Sequence, residues 1–157
     1  MKFKEFICFE SAISQLQSNN RDGAIEELVS SLKKNGKLEK ENSKNIIKAI
    51  VKRENEASTG LGKGVAIPHV KHKAVKEIVA TIGLSEEGLD FFALDKMPVH
   101  SVILMISPID DPDKHLQAME NIFKHLQVEK FRKFLRQCRT PEQIKDLFIE
   151  ADDDPSL

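Results

Sequence analysis

Apolar residues recur at helical spacing in two segments of the first third of the chain. The first stripe consists of Ile25, Leu28, Val29 and Leu32. The Asn35-Gly36 pair follows it, and glycine readily adopts the left-handed conformation that closes a helix. The second stripe consists of Ile46, Ile47, Ile50 and Val51. The pattern therefore predicts two amphipathic helices, the second of which we expect to end near Arg53.

The middle of the chain changes to the short apolar runs that are typical of strands. Val65–Ile67 is a brief run that Pro68 must end or leave at a sheet edge, because proline cannot donate to the hydrogen-bond ladder. Val75–Leu84 predicts a longer strand. Its apolar face consists of Ile78, Ala80, Ile82 and Leu84. Leu89–Phe92 is a candidate short strand, and Val99–Ser107 is the most apolar segment, which predicts the central strand of the sheet.

Helical signals return in the last third of the chain. Asp111 can cap a helix whose first turn contains Pro112. Its expected buried stripe consists of Leu116, Met119, Ile122, Phe123 and Leu126. A shorter amphipathic stretch contains Phe131, Phe134 and Leu135. The last helix opens with a capping box in which Thr140 is the cap and Gln143 reaches back. Its apolar positions are Ile144, Leu147 and Phe148.

This order of elements predicts an α/β fold with a mixed β-sheet flanked by helices on both faces. A chain of 157 residues is long enough for one domain with a sizeable core. We therefore expect a single domain over residues 1–150, followed by a frayed acidic tail over residues 151–157, "ADDDPSL".

Charge and composition narrow the choice of partners and compartment. The 24 basic and 25 acidic side chains give a formal net charge of −1. A nucleic-acid-binding protein that works by bulk charge needs clustered Lys and Arg, so we expect no nucleic-acid partner. The start, "MKFKEFICFE", is too short and too charged for a signal peptide, and no apolar run is long enough for direct membrane insertion. Cys8 and Cys138 lack metal or redox spacing, which indicates reduced thiols in a cytoplasmic protein.

The stretch Ser58–Lys73, "STGLGKGVAIPHVKHK", contains the candidate chemistry. A nucleotide P-loop requires four residues between its first glycine and the Gly-Lys pair. Here only Leu61 separates Gly60 from Gly62, and Gly64 follows Lys63, so the spacing argues against a P-loop. Glycines still allow backbone amides to approach an anion closely. A plain turn between a helix and a strand remains the alternative.

The histidines of this stretch do not fit two other kinds of site, a metal centre and a serine hydrolase. His69 and His72 form an H-x-x-H pair, but a Pro-His pair before a polar turn does not place both rings on one helical face. No Cys or third clustered ligand lies nearby, so the residues predict neither a metal site nor another cofactor. No G-x-S-x-G motif occurs, which argues against a serine hydrolase. From the residues alone, His69 could still be a structural or surface histidine.

The run "RENEASTGLGKGVAIPH", from Arg53 to His69, resembles the signature of the enzyme IIA domains of the mannitol/fructose type. These domains belong to the bacterial phosphoenolpyruvate-dependent sugar phosphotransferase system and include its nitrogen-regulatory member. "GLDFFALDKMPVHSVILMISP", "DKHLQAMENIFKHL" and "TPEQIKDLF" resemble the strands and helices that follow in the family. The resemblance covers residues from about 20 to 150 and implies the IIA-type sandwich.

The resemblance implies that His69 is phosphorylated and that Arg53 and His115 assist the transfer. A strand end would present the His69 ring at a fixed place, and proline would stiffen the approach to it. Arg53 offers a planar fork of donors for a phosphoryl group. A softer expectation is that the loop before His69 lines the phosphate. Its candidate residues are Ser58, Thr59, Gly60 and Gly62.

The resemblance also implies a donor and an acceptor for the phosphoryl group. The donor would be the histidine-containing phosphocarrier protein, and the acceptor an enzyme IIB or a regulatory target protein. The expected function is a phosphoryl carrier of the nitrogen-regulatory type, because no fused IIB or IIC segment is present. A stand-alone IIA subunit of a fructose/mannitol-type transporter and an unphosphorylated regulatory interaction module are the alternatives. His72, His100 and His125 match no active-site position of the family, and His125 is expected to be structural.

Overall fold

The computed structural model describes residues 1–157 and contains five α-helices and five β-strands, after two short 3₁₀ turns. The helices are α1 (Arg21–Lys34), α2 (Lys40–Glu56), α3 (Pro112–Leu126), α4 (Glu129–Gln137) and α5 (Pro141–Asp153). The strands are β1 (Gly60–Gly62), β2 (Val65–Ala66), β3 (His69–Lys71), β4 (Val79–Leu89) and β5 (Val99–Ser107). The longest helix, α2, has 17 residues, and none of the helices combines the length and apolarity needed to cross a membrane.

Local capping explains where the helices begin. The Asp111 side chain accepts a hydrogen bond from the Lys114 amide at the start of α3, as the sequence predicts. The Thr140 hydroxyl accepts one from the Gln143 amide at the start of α5, which confirms the predicted cap. The Gln143 side chain reaches back to the Arg139 amide, at 2.7 Å, and so extends the box by one residue. Each cap satisfies an amide that lacks a partner within its helix.

The helix ends agree less closely with the sequence pattern. Helix α1 ends at Lys34 with Asn35 as its C-cap, and Gly36 follows with φ of 76°, so the predicted stop is confirmed. Helix α2 continues past Arg53 to Glu56. The predicted end was too early because the polar residues after Arg53 still continue the helical hydrogen bonding, with the Ala57 amide donating to the Arg53 carbonyl.

Strand β5 is the centre of the sheet, and all nine of its residues are buried, as its apolar sequence predicts. Strand β4 pairs with it antiparallel on one side, and β2 and β3 pair with it parallel on the other. Strand β1 extends the sheet antiparallel to β2. On the far side of β4, parallel bridges from Ile7 and Ile13 add the N-terminal segment. The sheet is therefore mixed.

Strands β2 and β3 are two parts of one line of chain along β5. Val65 lies opposite Ser101 and His69 lies opposite Met105, so the register is the same before and after the interruption. The carbonyl of Pro68 accepts a hydrogen bond from the Met105 amide, at 3.0 Å, but proline has no N–H to donate in return. Strand β2 ends before Pro68, as predicted, and the chain resumes pairing with β5 at His69.

Helices cover both faces of the sheet, which confirms the predicted fold class. Strand residues alternate between two buried clusters. The cluster under α3, α4 and α5 includes Val65, Ile67, Ile103, Met105, Ile122, Phe131 and Phe148. The cluster under α1 and α2 includes Ala66, Val102, Leu104, Leu28, Ile46 and Ile50. The apolar face predicted for β4, with Ile78, Ala80, Ile82 and Leu84, lies in the first cluster.

Three predicted core positions are exposed instead. Leu116 is 57% exposed, Phe123 36% and Phe134 40%. The buried face of α3 consists of Ala118, Met119, Ile122, His125 and Leu126. Helical periodicity allowed a wider apolar stripe than the sheet can cover, so the outer apolar residues remain at the surface.

Two other expectations are corrected by the structure. Leu89 is the last residue of β4 rather than the first of a new strand, since the irregular register between Leu84 and Leu89 lets β4 continue through Glu87 and Gly88. The tail is not frayed: α5 runs to Asp153, and Leu157 is only 2% exposed. The Asp152 carboxylate accepts hydrogen bonds from two amides of the N-terminal 3₁₀ turn, which ties the two ends of the chain together.

Candidate active site

The glycine-rich segment forms a tight hairpin rather than an open loop. Strands β1 and β2 are joined by Lys63 and Gly64, with φ of 58° and 80°, and positive φ at both positions is typical of a type I′ turn. The Asp95 carboxylate accepts a hydrogen bond from the Lys63 amide at 3.0 Å. Hydrogen bonds from the Met97 and Lys63 amides lower the pKa of Asp95. The negative group beside Gly62 is therefore a side chain of the protein itself.

The polar groups ahead of the hairpin are used to fix its position. The carboxylate of Glu54 accepts hydrogen bonds from both the amide and the hydroxyl of Thr59. The Ser58 hydroxyl donates to the Phe91 carbonyl and accepts from the Gly60 amide. Three of the four residues predicted to line the phosphate, Ser58, Thr59 and Gly60, thus have other partners in the structure. The role of all four at the phosphate stays a prediction.

Glu54 is a residue that the sequence reasoning missed. It is 2% exposed, at the end of the face of α2 that also buries Ile46 and Ile50. A carboxylate four residues after Ile50, in an otherwise apolar stripe, is the signal that could have identified it. Buried carboxylates need hydrogen-bond partners, and Thr59 supplies two donors.

His69 is placed by the alternation of the interrupted strand. Val65 and Ile67 face the cluster under α3 to α5, and His69, two residues further on, lies on the same side of the strand. The ring is therefore directed toward α3. His69 lies at a strand end, as expected, but it is the first residue of β3 rather than the residue that follows the last strand of the segment, and it remains in register with β5.

One hydrogen bond determines which nitrogen of His69 is reactive. The Nδ1 atom lies 2.7 Å from the Ile67 carbonyl oxygen. A carbonyl only accepts, so Nδ1 carries the proton and Nε2 keeps its lone pair. Burial is the main cause that lowers the pKa of His69, and the positive charges of Arg53 and Lys71 add to it. The Ile67 carbonyl and Glu54 oppose the shift. The neutral, nucleophilic ring is thereby favoured.

His115, in the first turn of α3, brings a second ring to the same place. The centroids of the His69 and His115 rings are 5.8 Å apart. The His115 Nδ1 atom lies 2.7 Å from the hydroxyl of Ser107, which is fully buried at the end of β5. Burial lowers the pKa of His115, with further contributions from His69 and Lys71.

Arg53 approaches from the other layer, at the end of α2. Its Nη1 atom donates to the Ala57 carbonyl at 2.8 Å, which anchors the side chain and leaves other guanidinium donors free. Its charge contributes to the lowered pKa of His69. His69 is therefore the common neighbour of the other two predicted residues: its pKa is affected by Arg53, and its ring lies beside that of His115.

Ser107 and Lys71 are further site residues that the sequence reasoning missed. Ser107 contacts His115 directly. Lys71 shares the His69 side of β3 by strand alternation, and its charge contributes to the lowered pKa of both histidines. A lysine two residues after a strand histidine was the available signal for Lys71. Ser107 had none, since its partner is eight residues away and becomes a neighbour only on folding.

The other histidines have structural partners. The Nδ1 atom of His72 accepts from the Ala74 amide at 3.0 Å. Nδ1 of His100 donates to the Ser85 carbonyl at 2.9 Å, and Nδ1 of His125 donates to the Leu157 carbonyl. His125 is 3% exposed, which confirms its expected structural role. No three His, Cys, Asp or Glu side chains converge in the arrangement of metal ligands.

Comparison with protein families gives one match that spans nearly the whole chain. Residues 6–151 match the family described as "Phosphoenolpyruvate-dependent sugar phosphotransferase system, EIIA 2".

Individual relatives fall into two groups. The chain is 32% identical over 153 residues to the fructose-specific EIIABC component of Bacillus subtilis, which covers 97% of this chain but only 24% of that relative. It is 28% identical over 144 residues to a nitrogen regulatory protein of Bradyrhizobium diazoefficiens, with 92% of each chain covered. One relative is named for sugar transport and the other for nitrogen regulation.

Solved structures show the same fold. The crystal structure of the nitrogen regulatory protein IIA-Ntr from Neisseria meningitidis matches with a TM-score of 0.82 at 23% identity, covering 92% of this chain and 97% of that one. Enzyme IIA mannitol from Escherichia coli, solved in complex with phosphorylated enzyme IIB mannitol, matches with a TM-score of 0.73 at 20% identity, with coverages of 90% and 95%. At these identities the likeness establishes the fold.

Proposed function

Because the chain belongs to the EIIA 2 family of the phosphoenolpyruvate-dependent sugar phosphotransferase system, we propose that it carries a phosphoryl group on the Nε2 atom of His69. The observation that supports this most directly is the hydrogen bond between Nδ1 and the Ile67 carbonyl. It leaves Nε2 with a free lone pair, and the lowered pKa keeps the ring neutral near physiological pH.

In the proposed transfer, the lone pair of His69 Nε2 attacks the phosphorus of a phosphohistidine on the donor. The bond between phosphorus and the donor nitrogen breaks, and its electron pair returns to the donor ring. The His69 ring gains positive charge as the new bond forms. The Ile67 carbonyl, which accepts from Nδ1, stabilises that charge through its dipole.

The neighbouring groups are suited to the negative charge on the transferring phosphoryl group. Arg53 and Lys71 bring two cations to His69, and fixed cations lower the barrier to such a transfer. When the Ser107 hydroxyl donates to Nδ1 of His115, the Nε2 atom of His115 carries the proton. That N–H can then donate a hydrogen bond to a phosphoryl oxygen on His69.

We assign the donor role to the histidine-containing phosphocarrier protein, which must bring its own ring close to His69. A negatively charged rim would repel that phosphorylated partner. Apolar side chains are exposed on the segments next to His115, with Ile109 at 59% and Leu116 at 57%, and Leu61 is 40% exposed in the hairpin. Val70 follows His69 and is half-buried. These four residues are the proposed contact rim.

The protein that accepts the phosphoryl group from His69 would distinguish a regulatory carrier from a IIA subunit of a sugar transporter. We propose a regulatory, nitrogen-type carrier, supported by the match along 92% of both chains with a nitrogen regulatory protein. The higher identity to a fructose-specific relative supports the second candidate, a IIA subunit that passes phosphate to a IIB domain. The Escherichia coli mannitol IIA was solved in complex with phosphorylated IIB, so an equivalent encounter is compatible with this fold.

The test is incubation with purified general phosphotransferase components and labelled phosphoenolpyruvate. We expect an acid-labile, alkali-stable phosphate on the wild-type protein and on His72→Ala, and none on His69→Ala. His72 is the matched control because it lies three residues away. Label that persists in His69→Ala would disprove the assignment, and an unlabelled wild-type protein would favour the interaction module. Adding a fructose-type IIB protein then asks whether the label moves to its cysteine.

A further inference from the structure

A cavity of about 740 Å³ opens between α4, the segment after it, the hairpin turn and the end of β4. Only two of its 14 lining residues are hydrophobic. Small-molecule sites typically occupy ~300–1,000 Å³, so the cavity has the size of a site for a metabolite. The paucity of apolar lining means that a ligand would be recognised through charge and hydrogen bonds.

The charge in this cavity differs from that of the whole protein. Five cationic side chains line it: Lys63, Arg132, Lys133, Arg136 and Arg139. Only two carboxylates, Glu86 and Glu129, lie among them. The lining therefore has an excess of three positive charges, whereas the chain as a whole has a formal net charge of −1.

These cations are not neutralised by ion pairs within the protein. The three ion pairs of the structure involve no cavity residue. Arg132 donates to the Leu126 carbonyl at 2.7 Å, and Arg139 donates to the Arg136 carbonyl at 3.0 Å. These bonds hold two guanidinium groups in place without reducing their charge. Cations crowded on one concave surface repel one another, and a bound anion relieves that repulsion.

We propose that this cavity binds a small polyanion with two or more phosphate groups. Arginine forks match phosphate oxygens, and α4 with the segment after it provides three arginines together with Lys133. Lys63 adds a cation from the hairpin, so the ligand would be held from two elements of the fold. The concave shape favours a small molecule over the flatter surface of a protein.

The cavity is separate from the site of His69. His100 lines it near the start of β5, whereas His69 pairs with Met105, five residues further along the strand. That separation is about 17 Å at the usual rise of a strand. Binding in the cavity therefore does not require His69 or its phosphorylation.

Isothermal titration calorimetry with inorganic tripolyphosphate on the full chain tests the proposal, since the protein has no Trp or Tyr to report by fluorescence. We expect saturable binding to wild-type protein and to His69→Ala, weakening as salt is added. Separate titrations with ATP and with glucose 1,6-bisphosphate distinguish a nucleotide from a sugar phosphate as the source of the phosphates. Failure of all three probes to bind at millimolar concentration would overturn the proposal.

Charge variants locate the binding. Lys133→Gln combined with Arg136→Gln removes two of the cations that line the cavity and should weaken tripolyphosphate binding about tenfold or more. The side-chain bonds that anchor the arginines of this region belong to Arg132 and Arg139, so the double variant should stay folded. Lys130→Gln is the matched control: it removes one positive charge from the same helix outside the cavity and should change affinity by less than about twofold. Glu86→Gln should tighten binding.

Equal losses in Lys130→Gln and in the double variant would mean diffuse surface attraction and would refute a built site. Unchanged affinity in the double variant would do the same. Binding of an acidic peptide such as polyglutamate, with no binding of the three phosphate probes, would assign the surface to a protein partner and overturn the small-molecule proposal.

Discussion

Replacing Ser107 by alanine tests whether the second histidine must be held in one orientation. The Ser107 hydroxyl lies 2.7 Å from Nδ1 of His115, and Ser107 is fully buried. Ser107→Ala removes this bond and leaves the ring free to rotate and to change tautomer. The Nε2 proton of His115 would then be directed at the phosphoryl group for only part of the time.

The size of the effect follows from the strength of that one bond. A hydrogen bond of this kind contributes ~1 kcal/mol, which corresponds to about fivefold in rate. We therefore expect phosphoryl transfer to slow about fivefold to tenfold. His115→Ala removes the donor altogether and should slow transfer by ~10²–10³. The free energy of unfolding should fall by about 1 kcal/mol in Ser107→Ala.

Rapid-quench measurement of transfer to and from the protein provides the assay, and a double-mutant cycle provides the decisive comparison. If Ser107 acts through His115, Ser107→Ala should cause no further loss of rate in a His115→Ala background. The stability that this hydrogen bond contributes should likewise already be absent there. Ser101→Ala, a buried serine of the same strand, is the control and should transfer at the wild-type rate. Equal slowing in both backgrounds, or rates within about twofold of wild type, would refute this reasoning.

Three further predictions concern charge and burial. NMR titration should place the pKa of His69 below 6.5, mainly through burial, and Arg53→Gln should raise it; an unchanged midpoint would exclude Arg53 from the site. Because His69, His115 and His125 all have lowered pKa values, the unfolded chain binds more protons, so urea unfolding should show stability falling as pH drops below ~6.5. His125→Gln should reduce the dependence of the free energy of unfolding on pH. A wild-type protein whose stability does not change with pH would contradict this prediction. Glu54→Gln should cost ~1–3 kcal/mol in urea unfolding, whereas exposed Glu56→Gln should cost almost nothing.

Features with a local physical cause could be predicted from the sequence. Asp111 and Thr140 cap their helices because a side-chain oxygen and a nearby amide meet within one turn. The apolar run of β5 predicts a central strand because only burial on both faces suits it. Neither inference requires knowledge of distant residues.

Features that depend on a distant partner were missed or wrong. Gly60–Gly62 pairs as a strand only because β2 lies beside it, held in turn by β5. Leu116 and Phe123 continue the helical period of α3, but packing against the sheet and the neighbouring helices decides which part of that stripe is covered. Periodicity alone contains no information on that boundary.

The residues of the candidate site also fall into those that a sequence motif identifies and those that only folding brings together. His69, Arg53 and His115 were identified by a resemblance of motifs, and in the structure His69 lies beside the His115 ring and within the electrostatic influence of Arg53. Glu54 and Ser107 support that arrangement through contacts that form only on folding. A serine at the end of a strand has no distinguishing pattern until α3 packs against it.

The shared register of β2 and β3 limits how this region can change in evolution. Val65 and His69 keep the same alignment with β5 on either side of Pro68, and strand side chains alternate between faces. Insertion or deletion of a single residue between them would turn His69 toward α1 and α2, away from His115. In related sequences, insertions and deletions should therefore accumulate in the exposed segment around Leu94, while the spacing from Val65 to His69 stays invariant.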